Sequence, residues 1–254
     1  MWTGKTDRVR VFVTNDDGGR APGLTALVGA VAAAYADTVV AAPEVECGDY
    51  GTSLRRDSAW IRSLLDLARP ERPGPGELPA TPALLVKAAC AGVFGPAPDV
   101  VVAGVNYGPN VGCGVLHSGT VGAVLTAVNM GVPALAISLD DVYSTGGRED
   151  GRMYWQTASA VAVPLIDWLG RVSPGAAALN VNVPNREPAM VSGVRVARLA
   201  GPGSDLDTGR RWPDDDMALL AAGYLTISAL AGIDGGTVDA RAAARWLAAR
   251  VRIG

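Results

Sequence analysis

The 254-residue chain has one histidine, three cysteines and two phenylalanines. With His117 alone, neither a histidine-rich zinc site nor a phosphohistidine mechanism with a second histidine acid is available. Cys47, Cys90 and Cys113 are odd in number and keep no zinc-ligand spacing. They predict a reduced, cytoplasmic setting rather than a disulfide framework. No apolar run reaches the roughly 18 residues that a membrane helix needs. The first eight residues, Met1 to Arg8, are too polar for a signal peptide. Excess basic charge is missing as well. Twenty-two Lys and Arg against 25 Asp and Glu give a net charge of −3, which leaves no footprint for a nucleic-acid polymer. Neither a G-x-x-x-x-G-K-[ST] phosphate loop nor a G-x-G-x-x-G dinucleotide fingerprint occurs.

What is present is apolar. Hydrophobic residues make up 49% of the chain, enough to bury the core of one large α/β domain. Strands are expected at 9–14, 38–42, 99–104 and 134–139, and helices at 23–35, 80–93, 119–130 and 152–169. This alternation predicts a doubly wound, mostly parallel, Rossmann-like sheet. Pro70 to Pro79 reads as an exposed loop before a helix opened by Thr81 and Pro82. Asp140 to Asp150 reads as a second polar loop. Beyond about 175 the pattern shifts to strands at 178–183, 193–198 and 224–230, and an amphipathic helix closes the chain at 237–251. We expect a core at 1–175 carrying the site, with 176–254 part of the same globular unit. No internal repeat is visible.

Three segments carry chemistry. The first is a β-branched strand that empties into Thr14-Asn15-Asp16-Asp17-Gly18-Gly19. Two adjacent carboxylates repel one another, and a hard divalent cation offsets that repulsion. The same residues also make good turn chemistry. The second runs from Asp99 to Gly112, an apolar strand ending in Asn106-Tyr107-Gly108-Pro109-Asn110. Asn106 offers a neutral oxygen ligand or a donor, and the glycines let backbone N–H groups approach an anion. A loop of left-handed residues is the plainer reading. The third, Leu116-His117-Ser118-Gly119-Thr120, feeds an amphipathic helix. Ser118 and Thr120 are capping residues, and the unpaired N–H groups of a helix start can cradle a phosphate. His117 either touches substrate, protonates a leaving group, or fills the loop. Cys47 and Cys113 read as small loop fillers.

Together these segments resemble the SurE family of metal-dependent nucleotidases and phosphatases. The resemblance rests on Thr14–Gly18 followed by Ala21-Pro22-Gly23, on Gly104–Gly112, on Ser118–Ala123, and on Gly131–Leu139. Asn180–Pro184 and Gly223–Ser228 extend it over nearly the whole chain. It implies Asp16, Asp17 and Asn106 as ligands of one divalent metal ion, Mg²⁺ or Mn²⁺. It implies Asn15, Asn110, Ser118, Gly119 and Thr120 as phosphate and substrate contacts. It also implies a C-terminal β-rich arm that exchanges between subunits of a homodimer or homotetramer. One departure stands out. The family's further serine ligand falls where this chain has Gly48. Water, Glu46 or Asp49 would fill that position, or metal binding would weaken.

The expected activity is metal-assisted hydrolysis of a phosphate monoester, most simply a nucleoside monophosphate, with Asp16 and Asp17 at its centre. Asp16 as a nucleophile ranks below metal-activated water. The alternatives are a specialised phosphatase of a biosynthetic intermediate, motivated by the altered 44–52 loop, and a phosphate-binding homologue without turnover.

Overall fold

The computed structural model describes residues 9–54, 76–143, 151–171, 178–201, 212–233 and 239–251. The expectations for Met1 to Arg8, for 70–75 and 144–150 of the two polar loops, and for positions 237–238 of the last helix lie outside the described residues.

Eight strands form one sheet in the order β3-β2-β1-β4-β5-β6-β8-β7. They are β1 (Arg10–Thr14), β2 (Asp37–Pro43), β3 (Gly76–Leu78), β4 (Val100–Tyr107), β5 (Ala134–Asp140), β6 (Ala178–Pro184), β7 (Val194–Val196) and β8 (Leu225–Leu230). Every pairing is parallel except β6 with β8. The central strands carry near-continuous Val, Ala, Leu and Ile because both faces of the sheet are covered. The order reverses between β1 and β4. From β1 the chain builds outward through β2 and β3, and from β4 it builds the other way through β5 and β6. The carboxyl ends of two such strands splay apart and leave a crevice, which is where open α/β sheets bind ligands.

One face is covered by α1 (Pro22–Ala34), α4 (Trp155–Ser159), α5 (Ala162–Leu169) and α7 (Ala240–Ala248). The other is covered by α2 (Pro82–Cys90) and α3 (Gly119–Asn129). A short α6 (Asp216–Ala221) packs against β6 and β8. The expected helices at 23–35, 80–93 and 119–130 form within a few residues of their expected bounds. Thr81 caps α2 as its position before Pro82 implies, accepting from the Leu84 N–H.

Three expectations need correction. The helix expected at 152–169 is two helices, α4 and α5. Pro164 has no N–H to give a carbonyl one turn back, so the helix breaks before it. The loop expected at Pro70 to Pro79 contains β3, which pairs in parallel with Ala41–Pro43. Three residues are too few for a visible alternation. The strand expected at 193–198 is only Val194–Val196. α6 had no expectation. Its six residues give too little period to read, although Asp215 caps it by accepting from the Ala218 N–H.

Candidate active site

The turn after β1 enters the crevice directly. Asp16 is almost fully buried and Asp17 partly so. Asp16 accepts two hydrogen bonds from Thr120, from its backbone N–H at 2.7 Å and from its hydroxyl. This close approach depends on Gly119. A Cβ there would lie 2.5 Å from the Cys47 carbonyl and 2.8 Å from the Cβ of Asp16. Asp17 accepts from the backbone N–H of Tyr107 at 3.0 Å. The pair therefore ties β1 to the start of α3 and to the end of β4.

Among the described residues neither carboxylate forms an ion pair with Lys, Arg or His. Burial raises the pKa of Asp16, its hydrogen bonds to Thr120 opposing that shift. Burial, and then the charge of Asp16, push Asp17 up to about 7. Glu46 adds negative charge near both. A site this short of positive charge is suited to a bound cation.

Asn106 stands at the end of β4, after a register shift between Gly104 and Asn106. The shift needs glycine at 104, where φ is +130° and a Cβ would sit 2.2 Å from the Ile137 carbonyl. The Asn106 amide donates to the carbonyls of Gly108 at 2.7 Å and Tyr107 at 3.2 Å. Its side-chain oxygen has no partner among the described residues. The donor set is thus two carboxylates and one free amide oxygen, the oxygen chemistry that Mg²⁺ and Mn²⁺ prefer. No group of three or more His, Cys, Asp or Glu poised for a metal occurs among the described residues. Any ion here therefore relies on neutral oxygens as well.

At the start of α3, the Ser118 hydroxyl oxygen accepts from the Val121 N–H at 3.1 Å. Its proton stays free to donate outward. The backbone N–H groups of Ser118 and Gly119 have no partner among the described residues, so the helix start keeps its capacity for an anion. Thr120 differs from Ser118: both of its donors go to Asp16. Asn15 also turns inward. It is fully buried, and its amide donates to the Gly18 carbonyl at 2.8 Å, closing the turn.

Asn110 is held from below. Its N–H donates to Asn182 Oδ1 at 2.8 Å. Its carbonyl accepts from the amides of Asn180 and Asn182, and its own amide donates to Ser138. Asn180 and Asn182 lie on one face of β6 because strand residues alternate. A second anchor had no sequence expectation. Buried Asp216 accepts from the N–H groups of Gly112, Ala200 and Met217, and burial raises its pKa. An acidic residue at a helix start looks like ordinary first-turn chemistry, so nothing in the chain marks its reach of 104 positions to Gly112.

The remaining candidates lie on the rim. His117 is exposed, and its carbonyl accepts from the Gly51 N–H. Glu46 and Asp49 are exposed in the loop after β2. A side chain at Gly48 would meet only Glu46 Oε1, at 3.8 Å. The space of the expected serine is therefore open, and Glu46 borders it.

A family model described as Survival protein SurE matches residues 11–203. The 5'/3'-nucleotidase SurE of Salmonella newport (strain SL254) is 32% identical over 250 residues, covering 87% of this chain and 90% of that protein. The 5'/3'-nucleotidase SurE of Cronobacter sakazakii matches at the same identity and coverage. The crystal structure of the Sure protein from Aquifex aeolicus superposes with a TM-score of 0.68 at 24% identity, over 87% of this chain and 93% of that one.

Proposed function

We propose, from the premise that the chain belongs to the SurE family, that Asp16, Asp17 and Asn106 form the metal end of a nucleotidase site. The chain is a metal-dependent phosphoric monoester hydrolase acting on nucleotides, as its relatives named 5'/3'-nucleotidase indicate. The observation that carries our assignment is the carboxylate pair, Asp16 buried and Asp17 partly so, set at the sheet's switch point with no cation paired to either among the described residues.

A divalent cation held there supplies charge neutralisation at the phosphoryl oxygens and activation of a water. Mg²⁺ or Mn²⁺, one ion per chain, fits the all-oxygen donor set. The protein's own residues do the rest. Thr120 fixes the Asp16 carboxylate, and the Tyr107 N–H fixes Asp17. Ser118 and the free N–H groups of Ser118 and Gly119 bind the phosphate oxygens in a preorganised way. Asn110, clamped by Asn182, lines the same cradle. Glu46 takes the part of the serine that Gly48 replaces, directly or through water; its charge already acts on both Asp16 and Asp17. His117, exposed one residue before Ser118, is our candidate for contact with the leaving group.

The three cysteines are free thiols, in keeping with a cytoplasmic enzyme. Among the described residues no helix is long and apolar enough to cross a membrane. We further propose a homodimer or homotetramer, on the family resemblance of the C-terminal region. Nothing in the site favours a specialised phosphatase or a binder without turnover.

The test is phosphate release from a panel of nucleoside monophosphates with Mn²⁺, with Mg²⁺ and with EDTA, alongside Asp16→Asn. Release that needs the metal and is lost in the variant is expected. Full metal-dependent turnover by folded Asp16→Asn would overturn the assignment.

A further inference from the structure

Large apolar side chains gather around the crevice instead of being hidden. Among the described residues nine are exposed, and five of these stand at or after the carboxyl ends of β2, β4 and β5: Val45, Tyr50, Tyr107, Leu116 and Val142. Exposed apolar surface concentrated at a site's mouth marks a binding surface. Tyr107 stands out among them. It follows the ligand residue Asn106, and its backbone N–H is the one bonded to Asp17 Oδ2. It is nevertheless 56% exposed. The ring is not loose. Trp155 packs beside it, with centroids 6.2 Å apart and planes at 44°. Trp155 is itself fixed against the start of α1, where a Cβ on Gly23 would come within 2.9 Å of its ring. The Asp141 carboxylate lies beside the Tyr107 hydroxyl. A flat ring held beside an indole, more than half exposed and next to the carboxylate pair is preorganised to stack.

We infer that Tyr107, backed by Trp155, is the stacking platform for the planar aromatic part of the leaving group, a nucleobase. This rests on the phosphatase reading above and deepens it by assigning where the enzyme reads the base. In that reading the phosphate is held by charge and hydrogen bonds common to many esters. Stacking adds preference for esters carrying a π-face, with little discrimination among bases because every base has one.

The test compares AMP with ribose 5-phosphate, which differ only by the base. Tyr107→Ala is expected to lower the AMP to ribose 5-phosphate ratio of kcat/KM about tenfold, mainly through the KM for AMP. Tyr107→Phe keeps the ring and is expected to hold the ratio within about twofold. Equilibrium dialysis of adenosine, which has no phosphate to lose, gives a second readout: its affinity falls in Tyr107→Ala and persists in Tyr107→Phe. An unchanged ratio and unchanged adenosine affinity in Tyr107→Ala would overturn the inference. So would a fall of the ratio in Tyr50→Ala instead. Failure of the wild-type protein to hydrolyse either ester would sink the phosphatase reading, and adenosine binding would still decide the platform.

Discussion

Asp16 accepts both polar hydrogens of Thr120, across 104 positions of sequence. A carboxylate held at both oxygens cannot rotate, so its position in the crevice is fixed before any ligand arrives. The same contact locks the first turn of α3 against the turn after β1.

Thr120→Val keeps the volume and removes the hydroxyl. We expect metal affinity or turnover to fall about 10- to 100-fold, the usual effect of removing an outer partner of a ligand. Isothermal titration with Mn²⁺ and steady-state kinetics would measure both. Wild-type values in both would show that the Thr120 hydroxyl is dispensable to the Asp16 carboxylate.

Gly48→Ser restores the hydroxyl that the family carries, and the open space there admits the side chain. Its expected effect is tighter Mn²⁺ binding with no loss of thermal stability. Glu46→Gln should weaken Mn²⁺ binding severalfold, because it removes negative charge close to both aspartates. Equal Mn²⁺ affinity for wild type and Glu46→Gln would remove Glu46 from the site.

Asp17 gives the pH dependence. Its pKa in the folded protein, about 7, lies above the ordinary 3.8. The metal-free folded state therefore binds the proton more tightly than the unfolded state does. Its contribution favours folding below about pH 4 and is lost as pH rises toward 7. Metal binding has the opposite slope, since the proton must leave first. Mn²⁺ affinity should rise by at least about tenfold per pH unit up to about 7, because burial raises the Asp16 pKa as well. Titrations at pH 5.5, 6.5, 7.5 and 8.5 would show this, and a flat profile would contradict it.

Asn182→Ala removes the side chain that both accepts from and donates to the Asn110 backbone. Two buried backbone groups then lose a partner, at a cost of about 2–4 kcal/mol. Urea denaturation should show that loss, with a weaker phosphate affinity because the cradle loop loosens. Full stability in the variant would mean that Asn180 alone holds the loop.

The placement of the candidate residues at strand ends and at a helix start was largely legible in the chain. The Asp16–Asp17 pair, Asn106 and the Ser118–Thr120 turn each follow an apolar run or open a helix, and local signals suffice to see that. Partners were not legible. That Thr120 serves Asp16, that Asn15 closes its own turn, and that Asp216 holds Gly112 depend on contacts between distant segments. Nor did local sequence mark β3, too short for a period, or the break at Pro164, masked by apolar residues on both sides.

The sequence by itself determined the alternation of strands and helices, because hydrophobic period and caps are local properties of the chain. It also determined which chemical groups stand at the strand ends. Tertiary structure alone decided which of those groups meet. Reversal of strand order between β1 and β4 opens one crevice, and only the folded sheet brings Asp16, Asn106 and the start of α3 to it. Burial there, which no single segment encodes, raises the pKa of both aspartates, and among the described residues no cation pairs with either.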